Sequence, residues 1–239
     1  MPACVKSTQP DIVQIVRGAF ADAWPIMRSR MSVYGLLAAI GALAGLSVPF
    51  VHLADPNSQE QWQVQMAVQP ANVLGAVAVF FALPAVLRTV RPEFRMTFMR
   101  VLGMIGIGIA IGVVSEIGLL LLIVPGVLMF VKWSQATWAY LLGDGKNPFG
   151  ESWEITTGHF WETLGFFFLL ELVVTVLLIG FFLPAAIAIF VPVLSVVLAP
   201  IAFLAYVFAS HVSLLGQMRW MLELRRLNLP GVMAASTAP

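Results

Sequence analysis

From Leu172 to Met218 the chain carries no Asp, Glu, Lys or Arg, and the same holds from Met31 to Ala54 and from Gln61 to Leu87. Each run exceeds the roughly 20 residues with which an α-helix crosses a bilayer core. Hydrocarbon offers no water to backbone N–H and C=O groups, so apolar runs of this kind satisfy them within a helix. Composition agrees: 60% of the 239 residues are hydrophobic and 10% charged, against about a quarter charged in an ordinary soluble domain. A chain this short of charge cannot coat a globule with water-compatible side chains. The expected fold class is all-α, a polytopic membrane helix bundle.

Other classes drop out on similar grounds. A net charge of +1 lacks the basic field that nucleic-acid binding needs. Cys4 is the sole cysteine, which excludes an internal disulfide and a multi-cysteine metal cage. His52, His159 and His211 are expected at three different depths, so no metal cluster and no cofactor is implied. The first thirty residues carry Asp11, Arg17, Asp22, Arg28 and Arg30 without a long apolar core. They do not read as a cleaved signal peptide, and the first spanning helix is expected to direct insertion.

Six spanning helices are expected, arranged as three hairpins. Residues 8 to 29 put Ile12, Val13, Ile15, Val16, Ala19, Phe20, Ala23, Trp24 and Met27 on one helical face. Asp11, Gln14, Arg17 and Asp22 lie opposite, Thr8 and Asp11 have capping-box spacing, and Pro10 suits a first turn. Such a helix lies along the membrane interface or packs on other protein. Helix one follows from about Met31 to Leu53 and helix two from about Pro70 to Leu87. Helix three runs from near Thr97 until Pro125 and Gly126 interrupt it, and helix four from there to about Leu142. Asn147 and Pro148 open a second amphipathic segment, which Gly158 ends. Helix five spans about Phe160 to Phe182. Leu183 to Leu194 reads as a short broken helix, and Ser195 to Trp220 as helix six, kinked near Pro200.

Arg88, Arg91, Arg95 and Arg100 crowd the connection before helix three, and Arg219, Arg225 and Arg226 follow helix six. The alternate loops hold no basic residue, so the positive-inside rule predicts both termini on the cytoplasmic side. The domain division is then 1–30 as a cytoplasmic amphipathic helix, 31–226 as the membrane domain and 227–239 as a flexible tail. A weak repeat links "ADAWPIMRSRMSVYGLLAAI" to "GESWEITTGHFWETLGFFFL". Each has a Trp, Trp24 or Trp153, then a break and an apolar helix, and the Arg-rich segment before helix three reads as a third copy.

Charges within the membrane are costly and are functional candidates by default. Glu116, Lys132 and Glu171 qualify. Glu116 and Lys132 are equally far from a turn near Val124, about 12 Å along their helices, so they are placed to pair. The pair would fix the hairpin or line a polar path, the latter if Ser115, Ser134 and Gln135 faced the same cavity. Glu171 lies about 16 Å into helix five, near the midplane. His211 could approach it from helix six, as a proton relay or as one buried hydrogen bond. Gly41 with Gly45, and Gly108 with Gly112, have the Gly-x-x-x-Gly spacing of close helix approach, within the bundle or between chains. "GDGK" lacks the full phosphate-loop frame, and no catalytic motif is present.

The stretch from Leu119 to Gly165 carries Pro125 and Gly126, then Lys132 with Trp133 and Ser134, Ser152 with Trp153, Gly158, and Phe160 with Trp161. It resembles the bacterial YciC-like family and the related membrane domain sometimes fused to glycerophosphodiester phosphodiesterases. The family more often has arginine where Lys132 stands. The resemblance implies a six-helix bacterial inner-membrane domain without an assigned catalytic residue. A phosphodiesterase barrel needs roughly 250 residues of its own, so hydrolase activity is not expected of these residues. The functional expectation is a non-catalytic scaffold or accessory subunit. The alternative is a small transporter or lipid-handling protein using the intramembrane Glu, Lys and His residues. Expected partners are the bilayer and a membrane protein or second copy, with no nucleic acid.

Overall fold

The computed structural model describes residues 10–45, 77–121, 123–143, 146–187 and 192–228. Every regular element among them is an α-helix. Helix α1 spans Ile12–Arg28 and α2 spans Met31–Gly45. Helix α3 covers Val77–Arg88, α4 Phe98–Leu121, α5 Ile123–Trp133 and α6 Ala136–Leu142. Helices α7, Pro148–Thr156, α8, Phe160–Ile187, and α9, Pro192–Asn228, complete the order. Among the described residues three stretches, Phe98–Gly118, Phe160–Gly180 and Pro200–Asn228, are long and apolar enough to cross a membrane. The outer parts of expected helices one and two, with Thr8, His52 and the tail from 229, lie outside the described residues.

The start of α1 differs from the expected cap. Asp11, rather than Thr8, is the capping residue: its Oδ1 accepts the Gln14 N–H at 3.0 Å, meeting one of the four orphan N–H groups of the first turn. The apolar face of α1 divides into two adjacent stripes. Val16, Ala19, Ala23 and Met27 are buried, whereas Val13, Phe20 and Trp24 are exposed. The first stripe packs on protein, and in the second Phe20 and Trp24 meet the Phe208 ring edge to face at 5.2 and 6.4 Å.

Three expected boundaries move. The chain reverses between α4 and α5, and Pro125 sits in the first turn of α5, where its missing N–H removes no ladder bond. Expected helix four divides at Ser134 and Gln135. There Ser152 Oγ donates to the Lys132 carbonyl at 2.7 Å and accepts the Gln135 N–H at 3.2 Å. One hydroxyl from α7 thus meets two backbone groups that the helix break releases. The described residues of the expected short helix Leu183–Leu194 belong to its neighbours: α8 continues through Pro184 to Ile187, and α9 opens on Pro192, a favourable first position for proline. Helix α9 also runs two turns past Trp220, to Asn228.

Among the described residues the amphipathic-helix pattern recurs once, not twice. Helix α1 precedes α2 across Ser29 and Arg30, and α7 precedes α8 across Thr157 to His159. Gly158 turns that second corner at φ 86°, a left-handed conformation that a β-carbon disfavours. The Arg-rich third copy forms turns, closed by Arg91 N–H to Leu87 O at 2.8 Å and Phe94 N–H to Arg91 O at 2.9 Å. Pro92 has no N–H to continue a helix there.

The chain divides into two compact units. Unit one comprises Met1–Gly18, Met96–Leu169 and Gly216–Pro239, and unit two Ala19–Arg95 and Leu170–Leu215. In unit one the Phe166 and Trp220 rings stack at 4.9 Å with 7° between planes, and Trp138, Leu141, Ile155 and Met221 of the same unit are also buried. Trp220 Nε1 donates to Thr163 Oγ1 at 3.3 Å, and Trp138 Nε1 donates to Gln217 Oε1 at 3.2 Å. Both indole N–H groups are therefore met despite burial. In unit two Met27, Tyr34, Leu37, Ala78 and Val207 form the core, with Phe203 and Phe208 against it.

Candidate functional site

Lys132 is buried at the end of α5, and its surroundings come from α7. Its Nζ donates to Thr157 Oγ1 at 3.0 Å and stands 5.2 Å from the centre of the Trp153 ring, within cation–π range. Trp153 and Thr157 are four residues apart, so both point from the same face of the segment. Asn147 caps α7, its side chain accepting the Gly150 N–H at 3.0 Å. Arg225 Nε donates to Glu151 Oε1 at 2.7 Å, and Asn228 Nδ2 donates to the Ile155 carbonyl at 2.6 Å. The last turn of α9 therefore meets the otherwise orphaned C-terminal end of α7.

Glu116 is exposed, and among the described residues no ion pair joins it to Lys132. The physical reason is register. Glu116 lies five residues before the end of α4 and Lys132 nine residues after the start of α5, an offset of about 6 Å along the helix axes at 1.5 Å per residue. Ser134 bonds back to the Val131 carbonyl at 2.9 Å. Ser115 Oγ and the Gln135 side-chain amide are buried with no partner among the described residues.

In unit two, His211 is fully buried and turns to Tyr34 rather than Glu171. Its Nδ1 lies 2.8 Å from the Val207 carbonyl. A carbonyl only accepts, so Nδ1 carries the proton, and in the neutral ring Nε2 accepts the Tyr34 hydroxyl at 3.1 Å. The two rings meet edge to face at 5.4 Å. Tyr34 lies at the start of α2, and nothing in its local pattern pairs it with a histidine far along the chain. A double-mutant cycle of Tyr34→Phe with His211→Leu is expected to give a coupling of about 0.6–1.7 kcal/mol, the range of interhelical hydrogen bonds in membranes. Additive losses in thermal melts of the detergent-solubilised protein would show that the bond contributes nothing.

Glu171 is exposed on α8 and opens onto a groove of about 220 Å³, with Tyr206, Ser210 and Ser213 on one wall and Val79, Val174 and Leu178 among the apolar rest. A second cleft, of about 450 Å³ in unit one, sets Asp11, Gln14 and Ile15 of the α1 start against Arg219, Glu223 and Arg226 of the α9 end.

The glycines sort differently from the sequence spacing. A β-carbon at Gly118 would stand 2.7 Å from Gly126 Cα, so α4 and α5 touch backbone to backbone there. One at Gly108 or Gly112 would meet nothing within 4 Å among the described residues. The surroundings of Gly41 and Gly45 lie outside the described side chains. Comparison with protein-family models, curated proteins and solved structures finds no match to this chain.

Proposed function

We propose that the protein is a non-catalytic scaffold or accessory subunit of a membrane complex. It is built as six spans, with both termini on the cytoplasmic side of a bacterial inner membrane. The observation that carries this reading is how Lys132 and His211 are used. Each was a candidate for a polar route, and each is held by the protein's own packing: Lys132 by Thr157 and Trp153, His211 by Tyr34 and Val207. A residue so engaged holds helices in register and is not poised for turnover.

The common-side topology draws support from the cleft that joins the start of α1 to the end of α9 and from the Arg225–Glu151 contact. The basic residues clustered at these ends favour the cytoplasm, and the YciC-like resemblance favours the same arrangement. The test is purification of the tagged full-length chain from its native membranes in mild detergent after brief cross-linking. A stoichiometric membrane-protein partner that survives a salt wash is the expected result. A chain that stays solitary at every cross-linker dose removes the reading.

A second reading, a small transporter or lipid-handling protein, is favoured by one observation. Glu171 is not packed away like the other two but faces a groove in an apolar helix. Counter-flow of a candidate solute in proteoliposomes tests it, with Glu171→Gln as the variant expected to stop the flux.

A further inference from the structure

We infer that the Glu171 groove of unit two binds a lipophilic ammonium ion. This names a ligand class for the transport and lipid-handling reading and rests on it; the scaffold role stands or falls separately. Glu171 is eleven residues beyond Phe160, the first residue of α8, or about 16 Å along the axis. That depth is close to the middle of a hydrocarbon core about 30 Å thick.

The unit brings no cation of its own to that depth. Its basic residues are Arg28, Arg30, Arg88, Arg91 and Arg95, all outside or at the end of apolar stretches. From Met31 to Leu87 and from Leu172 to Leu215 there is no Lys or Arg. Among the described residues nothing hydrogen-bonds or ion-pairs with the Glu171 carboxylate. A bare carboxylate in hydrocarbon is costly, so a cation that enters the groove lowers that cost.

The lining selects among cations. Ser210 spends its hydroxyl hydrogen on the Tyr206 carbonyl at 2.8 Å, which leaves its oxygen as an acceptor in the same groove as the carboxylate. A carboxylate and an acceptor oxygen in one groove match an ammonium, which has three donors and no acceptor. A metal ion such as Ca²⁺ needs about six to eight oxygen ligands, more than this wall supplies. Val79, Val174, Leu178 and Leu214 complete the groove with hydrocarbon, the complement of an alkyl chain rather than of a hydrated ion. About 220 Å³ holds several groups of water size, at roughly 30 Å³ each. An ammonium head with its first methylenes fits, and the groove leaves the tail free to run along α8 into lipid.

The experiment uses the full chain in lipid nanodiscs, with octylammonium as probe and octanol as its uncharged counterpart. Saturable octylammonium binding without saturable octanol binding is expected. Glu171→Gln, which keeps the side-chain shape, is expected to weaken binding at least tenfold, and Ser210→Ala several-fold. Infrared difference spectra are expected to show a carboxylate band gained with octylammonium and missing in the Gln variant, and melting temperatures verify that both variants are folded. Equal binding by Glu171→Gln, equal saturation by octanol, or a carboxyl that stays protonated at saturation would overturn the proposal. Loss of octylammonium binding with a stable partner complex leaves the scaffold role standing. Binding by a chain that recovers no partner removes only that role.

Discussion

Trp220→Ala is expected to lower stability by about 3–5 kcal/mol, the usual range for truncating a fully buried large aromatic. Trp220 is completely buried, stacks on Phe166 at 4.9 Å and donates to Thr163, so truncation opens a cavity and strands a buried hydroxyl together. Trp220→Phe keeps a ring against Phe166 and loses chiefly the hydrogen bond, an expected cost of about 1 kcal/mol plus the smaller packing loss. Trp161→Ala is the control: Trp161 is 75% exposed, and its loss is expected to change stability by less than about 0.5 kcal/mol. Unfolding of the three variants in mixed detergent micelles, followed by circular dichroism, checks the order. A Trp220→Ala protein as stable as Trp161→Ala would mean that the ring stack is not part of the folded core.

Gly118→Val is the second large effect. The added β-carbon would lie 2.7 Å from Gly126 Cα and 3.0 Å from Gly126 N. Both are backbone atoms that no rotamer change can move aside. The α4–α5 hairpin must open, at a cost of about 1–3 kcal/mol by analogy with other overpacked sites. Gly108→Ala and Gly112→Ala, with nothing within 4 Å among the described residues, are expected to be neutral or to gain up to about 1 kcal/mol from helix propensity. Thermal melts of the purified chain compare the three. If Gly108→Ala proves as costly as Gly118→Val, another helix occupies that face, and cross-linking from position 108 identifies it.

Much of the local architecture was legible residue by residue. Asn147–Pro148 opens α7, and Gly158 ends the segment with a positive φ, because capping oxygens and left-handed backbone are properties of single residues. Signals with two valid frames misled. Asp11 to Gln14 has the same capping spacing as Thr8 to Asp11, and the helix used the later one. Prolines misled more, since Pro125 and Pro184 read as interruptions, yet Pro125 sits in a first turn and α8 continues past Pro184.

The candidate site was legible as a set of residue types and not as a set of partners. Depth counted along each helix places Lys132 level with Glu116 and brings His211 toward Glu171. The tertiary structure moved the α4–α5 turn and gave Lys132 to Trp153 and Thr157. Ser152, which bridges the break between α5 and α6, carried no signal beyond its place in the family resemblance. Its role depends on a carbonyl and an N–H twenty and seventeen residues earlier.

Taken alone, the uncharged runs from Met31, Gln61 and Leu172 determined that this chain favours helices apolar enough for a membrane. Backbone groups in hydrocarbon must bond within their own segment, and that requirement is read from local composition. What only the tertiary structure decided is which buried polar groups meet. A change of four residues in register at one hairpin moves a side chain by about 6 Å, farther than the reach of a hydrogen bond. The energy that selects the register comes from contacts such as Gly118 on Gly126 and Ser152 on Lys132, between residues that no local pattern connects.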